Sequence, residues 1–117
     1  MAYDEKLAGR VRTLLAKRKA IAEKKMFGGV AFLLSGNMCC GIHGEELIVR
    51  VEPAETDRAL ARPHTRIFDM TGRSMKGWIL VKSAGVASED ALAEWVGIGV
   101  GYAASLPAKK RVSVMTT

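Results

Sequence analysis

The sequence predicts an α+β fold: a two-layer sandwich of order α-β(3)-α-β(2)-α, in which helices cover an antiparallel five-stranded sheet. Three observations predict it. Apolar residues recur at helical spacing near both ends of the chain and at strand spacing between them. Short turn signals separate the strand-like runs, as antiparallel hairpins require. The chain has 117 residues, 49% of them hydrophobic and 26% charged, enough for one domain whose core needs no staples.

Taken in order, Asp4 caps a first helix that runs to about Ala20, with Leu7, Val11, Leu14 and Leu15 on one face. At about 100° per residue, Lys6, Arg10, Lys17 and Lys24 line one flank if the helix persists that far. Arg18 falls inside the apolar stripe, so the buried part ends near Leu15 or Arg18 snorkels outward. "MFGGVAFLLSGNMCCGIHGEELIVRV" reads as three strands, 30–34, 38–43 and 47–51. The Gly-Asn pair after the first suits a two-residue hairpin turn, and "HGEE" closes the second. Pro53 opens a short helix, "PAETDRALA", which Arg62-Pro63 ends. Residues 67–70 and 78–81 are the arms of a second hairpin, with "TGRSMKG" as its loop. Ser88, Glu89 and Asp90 start the last helix, since acids favour the positive end of the helix dipole. Leu92, Trp95, Val96, Gly99, Ala103 and Leu106 form its apolar face. The domain spans 1–108, and 109–117 reads as a loose basic tail.

No apolar run reaches the roughly 18 residues of a membrane span. The N-terminus shows no secretory pattern, and two cysteines without an export signal fit a cytoplasmic setting. Net charge is +6 and uneven: residues 1–25 hold eight basic and three acidic side chains. Such a balance permits nucleic-acid or acidic partners, and it also fits a solvated, lysine-rich surface helix.

The pair Cys39-Cys40, with His43 close by, raises the question of reactive or metal chemistry. Neighbouring Cα atoms lie about 3.8 Å apart, below the usual disulfide range of about 4.4–6.8 Å. On a straight strand the two side chains point to opposite faces, and Cys39 and His43 are separated by about 13 Å. One zinc ion with bonds of about 2.0–2.3 Å does not take both. Free cysteine usually packs as a small hydrophobe, and that is the expectation here. "GIGVG" (97–101) resembles a dinucleotide loop but lies in a helix pattern with no strand before it. Thr71, Arg73, Ser74 and Lys76 on the "TGRSMKG" tip could bind a phosphate, although such a tip is more often a soluble turn.

Two stretches carry a family likeness. At Met26-Phe27-Gly28-Gly29 and Met75-Lys76-Gly77-Trp78 the chain resembles the N-terminal domain of the TfoX/Sxy competence-regulator family, over roughly residues 5–107. The resemblance implies a bacterial cytoplasmic protein, the same α-β(3)-α-β(2)-α fold and a link to regulation of competence genes. It transfers no catalytic residue. Members with that role typically carry a second, helical C-terminal domain, so a stand-alone single-domain member is expected. The family's glycines would let the chain turn sharply into the first strand, Phe27 would plug the gap beside the first helix, and Trp78 would fill the end of the core.

The functional expectation is a non-enzymatic regulatory or protein-interaction domain with an unknown protein partner, no cofactor and no metal. An alternative is nucleic-acid binding through Lys6, Arg10, Lys17, Lys24, Arg73 and Lys76. A third is a small Cys/His enzyme or metal protein. Ala93, Gly97, Gly101 and Ala104 form a smooth outward stripe on the last helix, which would let a second copy approach closely and allow a homodimer.

Overall fold

The computed structural model describes residues 3–26, 28–70 and 73–107, with the backbone alone at 26, 69, 70 and 73–75. Helix α1 (Glu5–Leu15) starts where expected. Asp4 Oδ1 accepts the backbone N–H groups of Lys6 and Leu7 at 2.9 and 3.2 Å, satisfying two donors that the helix leaves unpaired. Leu7, Ala8, Val11 and Leu15 face inward, while Leu14 is 37% exposed, not part of the inner face as expected. The helix stops at Leu15, short of Ala20. One more turn would carry Arg18 into the apolar stripe, and Ala20 takes a positive φ of 66° that no helix allows.

A strand absent from the expected order comes next. Strand β1 (Ile21–Met26) pairs antiparallel with β2 (Gly29–Leu34). The sheet therefore has six strands, not five, and the order is α-β(4)-α-β(2)-α. Strand β1 is an edge, and its central Ala-Glu-Lys-Lys run carries none of the apolar alternation by which strands are read. Lys24 lies on this strand opposite Ala31, not on a flank of α1. Lysines on an exposed edge discourage pairing with other chains. Met26 pairs with Gly29, and Gly28 has φ +74°, so the first family glycines sit where β1 gives way to β2. Phe27 lies outside the described residues.

Strands β3 (Asn37–His43) and β4 (Glu46–Arg50) extend the meander. The β2–β3 turn is Ser35-Gly36, not the Gly-Asn pair; both residues have positive φ, 52° and 85°, as the mirror-image hairpin turn requires. A 3₁₀ turn (Pro53–Glu55) leads into helix α2 (Thr56–Leu60). Strands β5 (Thr65–Met70) and β6 (Arg73–Val81) form the second hairpin. A 3₁₀ turn (Ser83–Val86) precedes helix α3 (Glu89–Ser105), whose cap Ser88 accepts the Ala91 N–H at 3.1 Å. The six strands pair antiparallel throughout, in the order β1-β2-β3-β4-β6-β5.

The expected long loop at "TGRSMKG" does not exist. Arg73, Ser74, Met75 and Lys76 belong to β6, and only Thr71 and Gly72, outside the described residues, separate the strands. The irregularity sits further on. The register jumps from Ile67–Ile79 to Asp69–Ser74, so β6 carries extra residues, among them Gly77 with φ +87°. This kink is anchored. Gly77 N–H donates to Thr56 Oγ1 at 2.8 Å, Val51 N–H donates to the Gly77 carbonyl at 2.7 Å, and Thr56 Oγ1 donates to the Pro53 carbonyl at 2.7 Å.

All three helices contribute to a core on one face of the sheet. Phe32, Ile42, Leu47, Val49, Ile79 and Val81 meet Leu7, Val11, Ala59, Leu92, Trp95 and Val96 there. The opposite face is not a wet surface. Ala31, Met38, Ile48, Phe68 and Leu80 are buried in a second cluster, flanked by Leu33 and Trp78. Trp78 therefore belongs to this outer cluster, not to the end of the main core. The rings of Phe68, on the far edge strand, and His43, on β3, have centroids 6.4 Å apart. A flat sheet would hold them about 14 Å apart, three strand spacings, so the sheet and its kinked hairpin curl over this face.

Candidate functional site

The two cysteines lie in a β-bulge. Phe32 pairs with Cys40 and Leu33 with Met38, leaving Cys39 as the extra residue of β3. The bulge breaks the two-residue alternation, so both thiols enter the same core, with Sγ atoms 3.9 Å apart. The expectation of opposite faces held only for a straight strand. Both cysteines are free and fully buried, and Cys39 Sγ donates to the Phe32 carbonyl at 3.4 Å. The hydrogen bond between the thiols lowers the pKa of Cys39 and raises that of Cys40 well above the usual thiol range; burial adds to the rise at Cys40. His43 is exposed on the other side of the sheet, beside Phe68, so the sheet stands between it and the thiols. His64 occupies an exposed turn at φ +65°. Among the described residues no group of three or more His, Cys, Asp or Glu side chains could hold a metal ion.

Thiols closed off from solvent react slowly, because the reagent must reach the sulfur. Both should label with a disulfide reagent at rates set by unfolding, and both at once in concentrated guanidinium chloride. Fast labelling of either thiol in the native protein would contradict this placement.

The structure scatters the four cations expected to share a flank of the first helix, Lys6, Arg10, Lys17 and Lys24. Arg10 is a clamp between helices: its Nε meets Glu89 Oε2 at 3.0 Å and its Nη2 donates to the Ala87 carbonyl at 3.2 Å. Lys6 lies in the first turn of α1, Lys17 beyond its end, Lys24 on β1 and Lys76 beside Gly77. The Arg73 side chain lies outside the described residues. Lys17, Arg18 and Lys19 follow one another in the segment after α1, and Lys24 and Lys25 lie on β1, where alternation sends them to opposite faces. All five are exposed, and none is ion-paired among the described residues. Arg12 ties this end together through two bonds to Glu23, at 2.6 and 3.1 Å.

On α3, Ala93, Gly97, Gly101 and Ala104 are all exposed, and among the described residues nothing beyond the helix's own nearby backbone comes within 4 Å of where a Cβ of Gly97 or Gly101 would lie. Gly99 is different: its α-carbon packs against the Cys39 carbonyl. "GIGVG" is thus helix interior, with one glycine required by packing and two facing solvent.

The sequence gives no direct sign of a cleft of about 370 Å³ between α2 and α3. Val51, Ala59, Trp95, Ile98 and Tyr102 line it, with Glu52, Glu55, Arg58, Arg62 and Ser105 also contributing. Arg62 lies 4.2 Å above the Trp95 ring centroid and bonds Glu94 Oε1 at 2.9 Å. Arg50 lies between Trp78 and Tyr102, 5.1 and 5.4 Å from the two centroids. The available signal was the series Trp95, Ile98, Tyr102, Ser105, at spacings of three, four and three. It continues past the buried stripe of α3 onto a half-buried flank.

The family model for the TfoX N-terminal domain matches residues 13–102, most of the chain. No curated protein and no solved structure matches.

Proposed function

Because the chain belongs to the TfoX N-terminal domain family, we propose that it is a non-enzymatic regulatory or protein-interaction domain of the bacterial cytoplasm, acting in regulation of the competence-gene kind. The family match carries this reading. The chemistry-bearing side chains support it, because the fold holds the two thiols in a core and both histidines at the surface. No described helix is long and apolar enough to cross a membrane. The test is affinity capture of a protein partner by the native chain. A saturable partner retained by the Cys39→Ala/Cys40→Ala variant supports the reading. Capturing no protein, or finding turnover lost on Cys40→Ser with the fold intact, overturns it.

The reading extends to self-association. Ala93, Gly97, Gly101 and Ala104 offer a helix face that a second copy could approach closely, and the exposure of all four supports this. Sedimentation should show a dimer that Gly97→Glu converts to a folded monomer; a monomeric wild type refutes it.

A second reading, contact with nucleic acid, is favoured by five exposed cations, Lys17, Arg18, Lys19, Lys24 and Lys25, none of them ion-paired among the described residues. It predicts duplex-DNA affinity that falls steeply between about 50 and 200 mM salt, with a shallower slope for Lys24→Glu/Lys25→Glu. Weak binding with no salt slope removes it.

A further inference from the structure

We propose that Cys39 and Cys40 form a redox-sensitive device: a peroxide oxidises the pair to a disulfide between neighbouring residues, and the ring that closes moves the bulge of β3 and loosens helix α3. The geometry begins with the bulge. As the extra residue of β3, Cys39 breaks the alternation, and both thiols enter one core with Sγ atoms 3.9 Å apart. Ring closure brings them to about 2.05 Å. The surroundings suit this product. A disulfide is neutral and apolar, whereas a monovalent soft metal held by two thiolates would leave a negative charge buried among Leu, Ile and Val side chains. Phe32, whose carbonyl accepts from Cys39 Sγ at 3.4 Å, also lines a surface cleft of about 290 Å³ beside Leu15 and Arg18. That cleft gives a peroxide, little larger than water, a short path that a bulky disulfide reagent lacks. The hydrogen bond from Cys40, with the Arg18 charge adding a smaller effect, lowers the pKa of Cys39, so Cys39 is the sulfur that attacks.

The step balances. Cys39 gives up its proton and its sulfur attacks one peroxide oxygen; the O–O bond breaks, and the hydroxide released takes that proton and leaves as water. The Cys40 sulfur then attacks the sulfenic acid formed on Cys39. The S–O bond breaks, and hydroxide leaves with the Cys40 proton as a second water. Two electrons pass from the two sulfurs to the peroxide. The Cα atoms of neighbours stay about 3.8 Å apart, so the ring is strained and readily reduced, as a reversible disulfide must be. A ring of two residues also restrains the unfolded chain very little, so little offsets the strain. The strain falls on the peptide between the two cysteines. Its carbonyl is that of Cys39, and the α-carbon of Gly99 packs against it. Turning this peptide either drives the oxygen into α3 or opens a gap beneath it, and both loosen Leu92, Trp95 and Val96.

The test treats the full chain, fully reduced and folded, with excess hydrogen peroxide, and then alkylates it in guanidinium chloride. The expected product is a chain whose Cys39–Cys40 peptide has lost two hydrogen atoms in mass and has no thiol left to alkylate. Its thermal midpoint should lie roughly 10 °C below that of the reduced protein, and dithiothreitol should restore it. In a Trp78→Phe background Trp95 is the sole tryptophan, and its emission should move to the red on oxidation and back on reduction. The Cys39→Ala/Cys40→Ala variant, given the same peroxide, should show neither shift, which separates the pair from methionine oxidation elsewhere. Two free thiols after the treatment, oxygen added to a sulfur of the pair without ring closure, or a disulfide between two copies overturns the proposal. So does a closed ring that leaves either the midpoint or the Trp95 emission unchanged.

Discussion

Gly99→Ala should lower unfolding stability by about 2–3 kcal/mol, and the midpoint of thermal unfolding by roughly 10 °C, even though alanine is the better helix former. The reason is a close approach of helix to sheet. A Cβ on Gly99 would overlap the carbonyl oxygen of Cys39 and come within 3.1 Å of its carbon. The obstacle is backbone, and it sits in the bulge of β3, so no side chain can swing aside. Helix α3 must lift, which loosens Leu92, Trp95 and Val96 from the core. Two glycines on the same helix make the internal control. Gly97 and Gly101 have open space where a Cβ would go, so Gly97→Ala and Gly101→Ala should each raise stability by up to about 1 kcal/mol in dilute, monomeric protein. Thermal melts of the three variants decide it. A neutral or stabilising Gly99→Ala would mean that the helix does not press on the bulge.

The opposite signs expected at these glycines show what the sequence made legible. The period of α3 and its Ser88 cap were readable, because capping and amphipathicity are local. Gly99 fell on the inward face by its spacing alone. Its collision partner did not, because the bulge that lifts Cys39 depends on a register shift between β2 and β3. The same shift hid the joint burial of the two thiols. Strand β1 was missed for a different reason. An edge strand with a solvated face needs no apolar alternation, and Glu23, Lys24 and Lys25 present none. The cationic flank failed with it, since Lys24 was placed by helical geometry in a segment that is extended. The cleft lies between elements far apart in sequence, and only the spacing of its α3 wall was visible beforehand.

Ile48→Ala should destabilise the protein by about 2–4 kcal/mol, as a core truncation does. This is the sharper test of the fold, because Ile48 lies on the face away from the helices. In "ELIVRV" the inward positions are Leu47, Val49 and Val51, and alternation assigns Ile48 to the outside. A single-sided sandwich would expose it, and the truncation would then cost about 0.5 kcal/mol or less. Instead Ile48 is 1% exposed, next to Leu80 across the β4–β6 ladder and in one cluster with Ala31, Met38 and Phe68. Its burial depends on the curl that brings Phe68 towards His43 and on the kink of β6 at Gly77. Alanine at Gly77 would hold a positive φ with its Cβ 3.0 Å from the Val51 carbonyl oxygen, which should relax that curl. The two changes should therefore couple. In the Gly77→Ala background Ile48 is already less well packed, and truncating it costs less than in wild type. Chemical denaturation of both single variants and the double variant measures this. A small loss for Ile48→Ala, or strict additivity with Gly77→Ala, would show that the outer cluster is not held by the kinked hairpin.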